Sequence, residues 1–245
     1  LIVGAGPSGL SAALEALQQG ARVTVIDMWS IFGGHGVLSG GVLSIVGTPM
    51  QRAQGIEDSP ELAYQDFIKW GEDNNPEWVR FYVNNSRNLI YDWLIGMGLE
   101  FRSVGRQPGN RVPRIHSTLG GGRALVTTLY QECLKYPNVD FIWNHKVTDL
   151  VREKQRISGV KTENLRTGEL QIFRAFAVIL ATGGFQSSLD MVRQNWPKHL
   201  KSPDRLLFSA GFNATGSGHE LAQEAGGVLR SLDHQWNYST GIPHP

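Results

Sequence analysis

The sequence predicts an α/β domain built on a parallel sheet, with a helical insertion and a small antiparallel β-meander. Three observations carry that prediction. A short apolar run at residues 1–3 enters the glycine turn Gly4-Ala5-Gly6-Pro7-Ser8-Gly9 and then an amphipathic helix. A second buried strand, "RVTVID", ends in Asp27, 18 residues after Gly9. A third apolar strand, "AVILATGGF", ends in another glycine pair far along the chain. Strands that alternate with helices and end in glycine turns read as units of a parallel sheet.

Each element follows from its pattern. In residues 8–19, Leu10, Ala13, Leu14 and Leu17 fall on one helical stripe, and Gly20 stands where a helix closes. Ser59 followed by Pro60 starts a helix that runs to about residue 75, with Leu62, Ala63, Phe67 and Trp70 on one side. A second helical stretch, 77 to about 96, carries Trp78, Val79, Tyr82, Tyr91, Trp93 and Leu94, so the insertion covers about 59–100. Aromatic side chains at this spacing pack in a core or between domains. A loop rich in Gly, Pro and Arg precedes the helix "GGGRALVTTLYQECLKY", where Leu125, Leu129, Cys133 and Tyr136 are in register. From about 139 to 177 the period changes to two, with turns at 153–156 and 166–168, which predicts the meander. The strand before Gly183-Gly184 comes next, and the last clear helix starts near Ser217.

Composition narrows the function classes. A chain of 245 residues can remove roughly 70 to 75% of its unfolded surface from water, enough for one sizeable core. A net charge of +1 gives no electrostatic footprint for nucleic acid or an anionic membrane. No apolar run approaches the ~20 residues of a membrane span. The single cysteine, Cys133, excludes an internal disulfide or a thiolate metal cluster and fits a reducing, cytoplasmic setting, with a small buried role suiting it best. His116, His145, His199, His219 and His234 show no metal-ligand spacing, so no metal site is expected.

The first glycine turn points to a dinucleotide. Gly4 permits the tight turn, Gly6 lets the backbone approach a pyrophosphate on the helix N-terminus, and Gly9 lets the helix pack on the strand. Asp27 is placed to accept hydrogen bonds from an adenosine ribose. Both NAD and FAD satisfy this fingerprint. After Asp27, however, come two glycine pairs, Gly33-Gly34 and Gly40-Gly41, where a nicotinamide enzyme would usually continue into a polar loop and helix. Such a run lets backbone amides come close to a flat ligand.

Taken in order, the Gly4 to Gly9 turn, Asp27, "GGHGVLSGG", the meander and "ATGGF" resemble the fumarate reductase and succinate dehydrogenase flavoprotein superfamily. The motif spacing is most similar to its 3-ketosteroid dehydrogenase-like members. The resemblance implies a Rossmann-like FAD-binding domain over residues 1–245, incomplete at both ends and without the family's capping domain. By position, Ser8 would meet the pyrophosphate, Asp27 the ribose, and Gly34, His35 and Gly36 the flavin surroundings. Gly40 and Gly41 would approach the flavin ring with their amides. Val147 would contact the adenine through its backbone, and Ala181, Thr182 and Gly183 would line the pyrophosphate side. Members that join FAD covalently use a histidine one residue further from the second glycine pair than His35, so noncovalent binding is expected.

The chemistry implied is hydride transfer between flavin N5 and a carbon beside a carbonyl, forming or reducing a carbon–carbon double bond. The partners would be a small-molecule substrate and an electron donor or acceptor, and no catalytic acid or base is assigned within these residues. A flavin hydroxylase or a pyridine-nucleotide-linked flavoprotein would need a hydroxylase signature or a second G-x-G-x-x-G turn, and the chain has neither. A noncatalytic FAD-binding unit is the remaining alternative, and this stretch alone is expected to be inactive. Two departures matter. Tyr238-Ser239-Thr240 stands where the fumarate reductases carry a substrate-binding His-Pro-Thr segment, with His244-Pro245 displaced. Gly216-Ser217-Gly218 replaces the usual Gly-Asp-Gly, with Ser217 expected to cap the helix that follows.

Overall fold

The computed structural model describes residues 1–71, 73–208 and 211–236. β1 (Ile2–Val3) runs into Gly4, whose φ of +104° only glycine adopts freely, and α1 (Pro7–Gln18) starts with a proline in its first turn. β2 (Val23–Ile26) follows, then a 3₁₀ turn, Gly34–Leu38, and β3 (Val42–Ser44). The short α2 (Pro49–Ala53) leads to the insertion, where Ser59 caps α3 (Pro60–Trp70) by accepting from Leu62 N. α4 (Pro76–Ser86) passes through a π-helical stretch, Arg87–Asp92, into α5 (Trp93–Gly96). β4 (Phe101–Gly105), β5 (Ile115–Thr118), α6 (Gly121–Cys133) and β6 (Val139–Ile142) come next. β7 (His145–Glu153), β8 (Arg156–Asn164), β9 (Leu170–Arg174) and β10 (Ile179–Leu180) precede α7 (Leu189–Gln194) and α8 (Ser217–Glu224).

The central sheet is parallel, in the order β10-β1-β2-β6, with Ile2 aligned to Ile179 on one side and Val25 on the other. Strand alternation sorts its side chains into two cores. Ile2, Val23 and Val25 pack with Leu10, Leu14 and Leu17 of α1 and Val126 and Leu129 of α6. Val3 and Ile26 face the other way, against Val147 and Val160 of the meander and Leu221 of α8. Both faces are therefore covered, which is why these short strands read as continuous apolar runs. Cys133 is buried under α1, and burial, reinforced by the charge of Glu132, pushes its thiol up to about 12.

The meander begins later than the sequence pattern indicated. Residues 139–142 pair parallel with β2, Val23 opposite Val139 and Ile26 opposite Ile142, and only β7, β8 and β9 form the antiparallel sheet. A period of two is the same in both kinds of ladder, so it could not place this boundary. The open edge of β2 decides it, since Val139 and Phe141 reach the α1–α6 core there while Ile142 reaches the opposite one.

The loop rich in Gly, Pro and Arg also holds structure. It contains β4 and β5, which form a second antiparallel sheet with β3 in the order β3-β5-β4. Its sequence looked like a loop because two of its residues, Arg114 and His116, are polar yet wholly buried. Arg114 clamps Asp58 with Nε at 2.9 and 3.0 Å and Nη2 at 2.8 Å, and reaches Asp66 of α3 with Nη1 at 2.6 Å. Asp66 also takes Arg111, and His116 Nε2 shares a hydrogen bond of 2.7 Å with the Thr48 hydroxyl. This buried network joins the insertion to the sheet.

Trp78, among the aromatics expected in a core or between domains, is 67% exposed and stacks on Phe81 outside the core; Trp70 is 65% exposed. One further expectation is corrected. Ser217 does not cap α8: Gly216 holds that position with no side-chain cap, and Ser217 is the first helical residue. Among the described residues no helix is long and apolar enough to cross a membrane, and no group of His, Cys, Asp and Glu could hold a metal ion.

Candidate dinucleotide-binding site

A cavity of about 850 Å³ opens where β1, β2 and β10 end. Its position outside the carboxyl ends of parallel strands is where this architecture binds ligands, and its size lies within the roughly 300–1,000 Å³ of cofactor sites. Gly4, Gly6 and Ser8 line it from the first turn, and Asp27 from the end of β2. Gly34, His35 and Gly36 contribute from the 3₁₀ turn, Val147 from β7, and Ala181, Thr182 and Gly183 from the end of β10. Gly9, Gly40 and Gly41 do not line it.

The glycines divide by what surrounds them. A Cβ on Gly9 would lie 1.8 Å from Gly4 O, so this glycine serves helix-to-strand packing. One on Gly4 would lie 2.4 Å from Ala181 O, because the first and second glycine turns nest against each other. Gly41 is buried, and its Cβ would meet Thr118 Oγ1 at 2.2 Å beside the start of α6. Its amide donates to Ser39 Oγ at 3.3 Å, so it is engaged within the protein. Gly6 differs from all of these. Its φ is −77°, and the nearest protein atom to a Cβ there is Gly33 O at 4.0 Å. Neither backbone conformation nor protein packing requires glycine at this wall of the cavity.

The α1 N-terminus has no side-chain cap, and its first turn faces the cavity through Ser8. Uncapped N–H groups at the positive end of a helix dipole suit an anion. Beside it, Asp27 Oδ2 accepts from Ala5 N at 2.7 Å and Oδ1 from Trp29 N at 2.8 Å. Burial pushes the Asp27 carboxyl above its ordinary value, against the opposing pull of those two amides. Asp27 N and O in turn bond to Ile142 O and His145 N, so the residue is fixed by β6 and β7 as well. Gly33 N donates to Ala5 O, which holds the glycine-rich stretch after Asp27 against the first turn.

Several lining residues escaped the sequence reading. His145 and Lys146 directly precede Val147 at the start of β7, and strand-end position was the signal that could have found them. His145 Nδ1 donates to Trp143 O at 2.7 Å, and its buried Nε2 has no partner among the described residues. Ser217, Gly218 and residues 211–214 also line the cavity. A Cβ on Gly218 would fall 1.7 Å from Thr182 Oγ1, so α8 starts hard against the second glycine turn. Tyr238-Ser239-Thr240 and His244-Pro245 lie outside the described residues.

Two glycine turns, an uncapped helix N-terminus, a carboxylate at the second strand end and an open wall at Gly6 together fit FAD. The chain is 34% identical over 275 residues to a KsdD-like steroid dehydrogenase of Mycobacterium tuberculosis, an alignment covering 99% of this chain and 48% of that protein. It is 32% identical over 239 residues to a fumarate reductase (cytochrome) of Shewanella frigidimarina, covering 96% and 41%. The chain thus spans about half the length of the relatives it matches. Among solved structures, it superposes on 3-ketosteroid-Δ4-(5α)-dehydrogenase from Rhodococcus jostii with a TM-score of 0.83 and 27% identity, covering 95% of this chain and 54% of that one. An open-form flavocytochrome c3 fumarate reductase gives a TM-score of 0.82 at 30% identity, covering 91% and 39%. FAD is the cofactor of this fold. A family model described as an FAD binding domain matches residues 1–244, and the chain belongs to that family.

Proposed function

We propose that this chain is the FAD-holding unit of an oxidoreductase that forms or reduces a carbon–carbon double bond next to a carbonyl. Bound FAD supplies hydride transfer at its flavin ring. The chain's own residues bind and orient it. The first turn of α1, with Gly6 and Ser8, holds the pyrophosphate, and Ala181, Thr182 and Gly183 close on it from the second turn. The Asp27 oxygens each keep a lone pair for the ribose hydroxyls, and the Val147 backbone meets the adenine. Gly34, His35 and Gly36 line the flavin side. One observation carries this reading: both glycine turns open into a single cavity, and Gly6 leaves its wall clear on the ligand side.

The substrate we favour is an apolar carbonyl compound of the steroid kind. Leu38 and Phe212 line the cavity and are 64% and 73% exposed, an apolar margin beside His35 that suits such a molecule. The fumarate reductase relatives support a second reading, reduction of an unsaturated carboxylate. Anaerobic bleaching of the full-length flavoprotein separates the two. A 3-ketosteroid should reduce the flavin with an artificial acceptor restoring it, while reoxidation of the reduced protein by fumarate would support the second reading instead. No response to either would reject both substrate classes. Buried, unpaired Cys133 supports a cytoplasmic setting for this reaction.

A further inference from the structure

Residues 211–214 form a strap that lines the cavity, both of its ends tied to one wall and its first residue, Gly211, tied to a second wall as well. At the wall that follows β10, Ser187 Oγ donates to Gly211 O at 2.5 Å and Ser187 N donates to Ala214 O at 2.9 Å. At the other wall, Gly211 N donates to His35 Nδ1 at 3.0 Å. His35 and Gly211 are 176 positions apart, so this bond exists only when the cavity is assembled. A backbone N–H can only donate, so His35 Nδ1 must hold a lone pair, and the neutral ring carries its proton on Nε2.

We propose that His35 is a positioning residue: the clasp that holds the 211–214 strap across the cavity and sets how fast bound FAD leaves. The proposal rests on FAD occupying this cavity. Release then requires the two walls to part, and the His35–Gly211 bond must break for them to do so. A single hydrogen bond of this kind makes a modest net contribution, which corresponds to a release rate roughly three- to tenfold faster without it.

The test uses the full-length holoprotein and follows FAD release by the rise in free-flavin fluorescence after dilution. His35→Leu should release FAD roughly three- to tenfold faster, and His35→Gln, which offers an amide oxygen as acceptor, should recover most of the difference. Ser187→Ala removes the hydroxyl that holds Gly211 O, keeps the Ser187 N–Ala214 O bond and alters no cavity-lining residue, and it should also speed release. Because both act through one strap, the effects in the double variant should add to less than their sum. Melting of the apoproteins should stay unchanged, which separates a loosened strap from a loosened fold. Wild-type protein that holds FAD, with His35→Leu and Ser187→Ala releasing it no faster, would overturn the proposal alone. Wild-type protein that takes up no FAD would overturn the cofactor reading, and the clasp with it.

Discussion

The carboxylate of Asp27 lies 2.7 Å from the backbone N–H of Ala5, and this bond ties the end of β2 to the middle of the first glycine turn. Trp29 N occupies the other oxygen at 2.8 Å. Asp27 therefore shapes the site as well as facing it. Asp27→Ala removes an ionised acceptor, whose hydrogen bonds are worth roughly 1.5 to 3 kcal/mol each, and should weaken FAD binding about ten- to a hundredfold. Asp27→Asn should recover little of this, since its amide nitrogen must face one of two backbone donors. Flavin titration of the full-length apoprotein measures both, and unchanged affinity in Asp27→Ala would remove the adenosine assignment.

Gly6 and Gly9 should respond in opposite ways to the same change. Gly6→Ala has room in the protein, so the apoprotein should melt as before while FAD affinity falls at least about tenfold, as the added methyl meets only the ligand. Gly9→Ala drives a methyl into Gly4 O, 1.8 Å away before relaxation, and should destabilise the apoprotein by about 1 to 3 kcal/mol or more. Melting curves with and without FAD read both effects. A lower apoprotein melting point in Gly6→Ala would show that protein packing, not a ligand, requires that glycine.

Acid precipitation of the holoprotein should leave flavin in the supernatant. With its Nδ1 lone pair held by Gly211 N and its proton on Nε2, His35 offers no free ring nitrogen for a covalent bond. Colour that stays in the pellet and is lost in His35→Leu would contradict noncovalent binding.

Arg114 is the residue on which the insertion depends. Arg114→Met leaves Asp58 buried without its cation and Asp66 with Arg111 alone, and should cost about 3 to 5 kcal/mol and lower the melting point by about 10 °C. Circular dichroism during heating measures this loss. A shift of only a degree or two would mean that Arg111 and water replace the missing charge.

The same cluster sets an acid limit. Burial pushes the Asp66 carboxyl up, but hydrogen bonds from Arg114 and Arg111 outweigh it and hold the group below its ordinary value of 3.8. Its contribution to stability is complete above 3.8 and is lost as the pH falls through the lower, folded-state value. Urea midpoints measured between about pH 5 and about pH 2.5 should fall steeply in the wild type and less steeply in Asp66→Asn. Equal slopes would place the acid sensitivity elsewhere.

What the sequence determined by itself is local. Glycine spacing and helical periodicity defined β1, the Gly4 to Gly9 turn, α1 and Asp27, because steric freedom and amphipathic burial act within a few residues. Ser59 before Pro60 marked the start of α3 for the same reason, a cap being satisfied inside one turn.

The rest was decided by partners distant in the chain. Period two could not say that residues 139–142 would join β2 in parallel, since alternation is identical in both ladders and only the available edge chooses. Arg114 and His116 read as loop residues until Asp58, Asp66 and Thr48, brought in from α3 and the segment around α2, satisfied them in the interior. That Gly41 has no room for a side chain, because Thr118 and the start of α6 fill the place of its Cβ, also shows only in the tertiary structure. The bond between His35 and Gly211 joins residues that no local pattern relates, because a hydrogen bond acts over 3 Å of space whatever the separation along the chain.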